Sequence, residues 1–173
     1  VVIRNAQFVD IHAMTFFLQE CHARSHYAKG GLVNVDVAET KRLLGAGLGR
    51  HGHKGIGSCW LQVADNDGSI DGLMYATLAR VYAIGDKLMA TDLFWATSDR
   101  ARPTDALTLM KNMINWAKSC PLVVEVRCGV TTVISDKPEA TGRLLKTMGM
   151  QDYGAMYRLD LSGEKSCLAL SAA

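Results

Sequence analysis

Between residues 58 and 130 the hydrophobic period changes twice, and this constrains the fold more than any other feature of the chain. Residues 58–64 read as a strand, and Asn66-Asp67-Gly68 is a hairpin-type turn. Residues 70–82 read as its long partner, bent at Gly72, and Ala83-Ile84-Gly85-Asp86 makes a second turn before a strand at 88–96. Then Ala106, Leu109, Met110, Met113 and Ala117 recur at helical spacing, with Thr104 or Asp105 placed to cap the start. Pro121 follows, and residues 123–130 form a further strand. Three strands joined by tight turns form an antiparallel meander, whereas a strand–helix–strand crossover joins parallel neighbours. The fold class is therefore α/β, in the α+β sense of one mixed sheet.

The flanks complete the order. Residues 1–3 are a short β-branched strand, and Phe8, Ile11, Met14, Leu18 and Cys21 form the stripe of a helix reaching Tyr27. A second helix starts at Asp36, with Glu39 three residues on, and is ended by the glycines at 45, 47 and 49. A last helix covers 136–148, with Pro138 in its first turn and Gly149 at its end, and a closing strand covers 155–161. No repeat or linker divides residues 1–161, so we read one domain followed by a tail or extra edge element at 162–173.

Composition removes several classes. With 49% hydrophobic and 21% charged residues the chain is globular rather than disordered. A net charge of +2 gives no general case for a nucleic-acid partner. No apolar run approaches the ~20 residues that span a bilayer, and VVIRNAQ lacks the pattern of a secretory leader. Cys21, Cys59, Cys120, Cys128 and Cys167 follow no paired spacing, which points to a reducing, cytoplasmic setting in which thiols pack as small hydrophobes.

This order, over residues 1–161, resembles the GNAT acetyltransferase superfamily. The resemblance is carried by residues 90–119, where Leu109-Met110 and Ala117 match the family's helix and Arg100 stands seven residues after Leu93. The segment 144–161, with Gly149-Met150 after a helix, is similar to the family's close. The resemblance implies a GNAT-like fold whose strand splays from its parallel neighbour and pairs with the pantetheine arm of acetyl-CoA. On this chain those positions are Phe94, Trp95 and Ala96. The pyrophosphate is implied at the following helix N-terminus, a natural anion site, with charge-assisted contacts from Arg100 and Arg102. The family's loop, an Arg or Gln followed by a Gly and then a Gly or Ala, falls either on Ala101, Thr104 and Ala106 or, one residue shifted, on Arg100, Pro103 and Asp105. Neither register supplies glycine, Pro103 has no N–H, and Asp105 is anionic; each works against a phosphate. The family's frequent tyrosine acid falls on Leu145, which has no proton to give.

Acetyl transfer to an amine needs a base and an acid. Asp92 is the candidate base, because Leu88, Ala90, Phe94 and Ala96 alternate with it as small or apolar neighbours; the plainer reading is a cleft-facing polar residue. Tyr153 is the candidate acid, and its plainer reading is a packed tyrosine. By resemblance, His26, Tyr27 and Lys29 wall the acceptor pocket. His22 and His26 are four apart beside Cys21 but lack a third ligand, so no metal is expected. Gly47-x-Gly49-x-x-Gly52 follows a helix rather than a strand and reads as a loop, not a dinucleotide fingerprint.

Two readings of function stay open. One is an N-acetyltransferase carrying acetyl from acetyl-CoA to an unidentified small-molecule or protein amine. The other is a non-catalytic GNAT-fold module, either a homodimer or a component of an assembly such as a virus particle. A weaker third reading has Arg42, Arg50, His51, His53 and Lys54 contact nucleic acid, with steep salt dependence.

Overall fold

The computed structural model describes residues 1–29, 31, 33–130, 138–154 and 156, with the backbone alone at Lys29 and Pro138. Among these residues five strands form one sheet in spatial order: β1 (Val2–Asn5), β2 (Cys59–Asn66), β3 (Ser69–Arg80), β4 (Leu88–Thr97) and β5 (Val123–Arg127). The first four pair antiparallel, and β4 pairs parallel with β5. Residues 70–76 of β3 are buried without a break, as expected of a central strand covered on both faces.

Two cores flank that strand. On one face α1 (Ile11–Ala23) and α3 (Val37–Leu48) bring Met14, Phe17 and Leu44 onto Leu61, Leu73 and Tyr75. On the other, α4 (Pro103–Lys118) brings Leu109, Met110 and Met113 onto Met74, Leu78 and Ala90. The helix α5 (Pro138–Thr147) adds Leu145 to this second core. A four-residue helix, α2 (His26–Lys29), follows α1.

Several boundaries differ from the sequence expectation. The first helical stretch is not continuous from 8 to 27: Phe8–Asp10 is a tight turn, and a break at Arg24 and Ser25 separates α1 from α2. Asp36 caps α3, its carboxylate accepting from the Glu39 amide at 2.9 Å. Gly45 and Gly47 do not end that helix, which runs to Leu48. A Cβ at Gly47 would lie 2.5 Å from the Tyr75 hydroxyl, so glycine there admits the sheet rather than stopping the helix. The strand expected over 123–130 ends at Arg127. The start of the last helix, the closing strand at 155–161 and the tail lie outside the described residues.

Two skips in the ladder matter for the site. Between β2 and β3 the register shifts so that Asp71 has no partner opposite it. Between β3 and β4, Tyr75 faces Phe94 and Ala76 faces Asp92, leaving Leu93 as an extra residue. The second bulge reverses the pleat. Leu88, Ala90 and Trp95 face α4, whereas Phe94 and Ala96 face α1 and α3. Simple alternation through 88, 90, 92, 94 and 96 is thereby corrected, because an inserted residue flips every side chain beyond it.

The β3–β4 turn carries two consecutive left-handed residues that are not glycine, Tyr82 (φ 50°) and Ala83 (φ 65°). The Tyr82 ring lies over the Arg127 guanidinium at 5.2 Å, and Tyr153 covers the same group at 4.8 Å.

Candidate functional site

The cleft is a fork between β4 and β5. Pairing runs from Leu88 opposite Val123 to Thr91 opposite Arg127 and then stops. Beyond it, residues 92–97 of β4 pair with β3 on one edge and with no strand on the other among the described residues. Asp92 sits at the crotch, its Oδ1 accepting from the Gly129 amide at 3.2 Å. Burial pushes its carboxyl above the ordinary value, against the opposing pull of that amide. Burial, helped by the Asp92 charge, lifts the neighbouring Cys128 thiol far more, so this cysteine is a protonated packing group rather than a nucleophile. Trp95 turns toward α4 and donates from Nε1 to the Ala106 carbonyl at 3.2 Å.

The helix end of the cleft is built differently. Arg102, not Thr104 or Asp105, is the N-cap of α4, and Pro103 fills the first helical position, where a missing N–H costs nothing. Asp105 is only 2% exposed. Its carboxylate accepts from the Arg102 amide at 2.9 Å and from the Arg102 guanidinium at 2.8 Å. The Arg102 side chain holds that carboxyl below its ordinary value, although burial opposes the shift. The positive end of α4 thus already has an anion, supplied by the chain.

Arg100 is engaged as well. Asp71, fully buried at its bulge, accepts from Arg100 Nε at 2.8 Å, from Asn66 at 3.0 Å and from the Ser98 hydroxyl at 3.1 Å. Burial acts to raise its carboxyl, but those three donors outweigh burial and leave it below the ordinary value. The loop amides close the remaining space: Ser98 N donates to the Asp71 carbonyl at 2.8 Å, Arg100 N to the Ser98 hydroxyl at 3.2 Å, and Ala101 N to the Ser98 carbonyl at 3.1 Å. Asp71 escaped the sequence reading. Its signal was a lone carboxylate between Ile70 and Gly72 in an otherwise apolar strand.

The remaining candidates are placed as follows. Phe94 packs by Tyr75 with ring centroids 6.2 Å apart, and Ala96 is buried beneath α1 and α3. Tyr153 is exposed, with its hydroxyl 3.2 Å from that of Tyr82 and 3.4 Å from Arg127. Its hydroxyl is raised chiefly by the Tyr82 hydrogen bond, with Arg127 opposing. His26 and Tyr27 lie in α2 with rings 4.1 Å apart; the Lys29 side chain lies outside the described residues. The end of α1 is tied to the loop, since Arg24 donates to the Thr97 carbonyl at 3.4 Å and to Asp99 at 3.3 Å. Among the described residues no three His, Cys, Asp or Glu side chains group to hold a metal ion, and no helix is long and apolar enough to cross a membrane.

Neither a family model nor a curated protein sequence matches the chain. Solved structures do. An aminoglycoside acetyltransferase from an uncultured soil metagenomic sample superposes with a TM-score of 0.62 at 13% identity, covering 93% of this chain and 98% of that one. A predicted acetyltransferase from Clostridium acetobutylicum, solved with acetyl-CoA, gives 0.62 at 16%, covering 92% and 96%. The chain has the GNAT fold. A transcriptional regulator from Bacillus halodurans also matches, at 0.63 and 17% identity over 92% and 99%, so proteins named for different activities share this architecture. The resemblance read from the sequence implies the pantetheine arm of acetyl-CoA along β4 and its pyrophosphate at the start of α4. Tested against the residues present, the open edge of β4 fits the arm. The start of α4 does not fit the pyrophosphate, because Asp105 stands there and both arginines are bound to carboxylates.

Proposed function

We propose that this chain is a non-catalytic GNAT-fold interaction module, working as a homodimer or within a larger assembly. The observation that carries this reading is Asp105, buried against the first turn of α4 and bonded to the Arg102 amide. That carboxylate already takes the Arg102 amide and guanidinium, so a phosphate arriving at the helix start finds these donors spent and would have to displace an internal ion pair to gain the roughly 1 kcal/mol that a helix N-terminus offers an anion. Calorimetry with CoA tests this directly: the wild-type chain is expected to give no binding heat, and the Pro103→Gly/Asp105→Gly variant to give a saturable isotherm. Saturation of the wild type by CoA would end the reading.

The open edge of β4 favours a second reading, an N-acetyltransferase acting on a small-molecule or protein amine. Here acetyl-CoA would be held by the strand alone, with Asp92 at the fork taking the amine proton, Tyr153 as the acid, and His26, Tyr27 and Lys29 walling the acceptor. It predicts CoA release with some amine and loss of that release in Asp92→Asn. Absence of thiol release across a broad amine panel removes it.

A further inference from the structure

Away from the fork, the loop between α3 and β2 is fastened by an imidazole. Residues 50–52 run beside the start of β2, with Cys59 N donating to the Arg50 carbonyl at 3.0 Å and Gly52 N to the Cys59 carbonyl at 2.9 Å. β1 covers the same edge further on, as far as Asn5 opposite Gln62, and the Ala6 amide donates to the Leu61 carbonyl at 3.2 Å. The Leu61 amide is left between the two segments. It donates to Nδ1 of His51 at 2.9 Å, so a side chain stands where a backbone carbonyl would complete the edge.

That bond fixes the state of the ring. A nitrogen that accepts from an amide carries no proton, so His51 is neutral with its hydrogen on Nε2. The ring lies on Trp60 with centroids 4.9 Å apart, and Trp60 lies on Trp116 at 5.7 Å. Trp116 Nε1 donates back to the His53 carbonyl of the same loop at 3.1 Å. Trp60 Nε1 is buried without a hydrogen-bond partner, a standing cost of the closed arrangement that contact with water relieves. Trp116 is in the last turn of α4, about 20 Å along the helix from Pro103, so this cluster is separate from the cleft.

The groups around the ring are few. β2 brings Trp60, the Leu61 amide and the buried Cys59 thiol, α4 brings Trp116, and the loop itself carries Arg50, His53 and Lys54. Of these charges His53 acts on the ring, and among the described residues no carboxylate does. Burial first, and then His53, hold the His51 ring below the ordinary histidine value.

We infer that His51 is a pH-operated latch: a proton taken from solvent at Nδ1 sets two N–H groups head to head, the ring leaves the Leu61 amide, and residues 51–56 swing off the Trp60–Trp116 pair. Gly52 (φ 73°) and Gly57 (φ 72°) are in left-handed backbone at the two ends of the moving segment and serve as its hinges. Gly57 stays tied to β3 through its amide, which donates to the Leu78 carbonyl at 2.8 Å. The folded value is the lower one, so the closed loop has its full stability above about pH 6.5 and loses it as pH falls from there toward the folded value. Asp71 and Asp105 titrate below about pH 4, outside this window. The latch does not depend on whether CoA binds.

The test is native-state hydrogen exchange read by NMR from about pH 7 to about pH 5. Protection of the Leu61 and Gly52 amides, corrected for the intrinsic pH dependence of exchange, is expected to fall by up to about tenfold per pH unit, the limit for one proton. The ladder amides between β3 and β4 are expected to hold. Long-range nitrogen–proton spectra of the wild type should show His51 Nδ1 unprotonated at the upper end and both ring nitrogens protonated at the lower. His51→Asn puts a carboxamide oxygen near the place of Nδ1, and is expected to keep the protection and lose its pH dependence. The inference is overturned if Nδ1 is protonated at neutral pH, or if protection of the two amides is flat across the range. It is equally overturned if the fall survives in His51→Asn, or if the β3–β4 amides fall in step, which would make the event acid unfolding of the whole fold. The wild-type measurements need no variant, so they decide the matter even if His51→Asn does not fold.

Discussion

The two halves of the cleft were built by different rules. The strand half depends on backbone geometry: β5 stops at Arg127, β4 runs on to Thr97, and an edge unpaired among the described residues follows whatever the side chains are. The helix half depends on side chains, and there Pro103, Asp105, Arg102 and the Asp71–Arg100 pair close what the fold leaves open. On the reading proposed above, a fold keeps the shape of a binding site while a few side chains occupy its anion end.

The largest effect is expected at the buried carboxylate that organises the closed half. Asp71→Ala leaves Asn66 and Ser98 donating to nothing and should cost about 2–3 kcal/mol, read from urea unfolding at neutral pH; a change well under 1 kcal/mol would mean that the loop is held by something else. Next is acid. Asp71 and Asp105 both sit below their ordinary values, so the unfolded chain takes up their protons more readily than the fold. Their stabilisation is complete above about pH 4 and is lost as pH falls further. Thermal melts should drop steeply there, and Asp71→Asn should flatten the curve. Third, Pro103→Gly/Asp105→Gly should lose about 1–2 kcal/mol through the cap and the freed backbone, while gaining the CoA affinity that makes the halves alike. Fourth, Trp95→Phe removes the one side-chain bond from β4 to the first turns of α4, at about 1 kcal/mol.

The smallest effect has the opposite sign. In the strand half the Asp92 carboxyl is raised by burial, so the fold holds its proton more tightly than the unfolded chain does. Ionisation costs stability as pH rises through the folded value. Asp92→Asn should therefore melt slightly higher than wild type at neutral pH and no differently in acid. Matching curves at every pH would erase the contrast between the halves.

What the sequence disclosed follows from the same division. The meander, the crossover and the cap at Asp36 are written in local periods and short spacings, so they were legible. The Leu93 bulge was not, because a skipped residue changes the ladder without changing local hydrophobicity. At α4 the signs were present, since Pro103 at the first helical position and an acid two residues later are an ordinary helix start. The cap was nevertheless expected two or three residues too late, at Thr104 or Asp105, because both are cap-forming residues just ahead of the apolar stripe that opens at Ala106. Asp71 could be noticed but not assigned, because its partners lie at Asn66, Ser98 and Arg100, and only the fold brings them together.

The turn after β3 has a consequence for the order of assembly. Left-handed backbone at Tyr82 and Ala83 costs about 1–2 kcal/mol per residue, and no glycine relieves it. The tip is held first by its own bonds, Val81 N to the Lys87 carbonyl at 3.1 Å, Gly85 N to the Val81 carbonyl at 2.9 Å and the Arg80 guanidinium to the Gly85 carbonyl at 2.8 Å, and Arg127 of β5 is added against the Tyr82 ring. The hairpin can thus close before β5 docks and be stiffened afterwards, and pulsed hydrogen exchange should find the Val81 amide protected with β3 and β4, with Arg127→Ala lowering that protection without abolishing it.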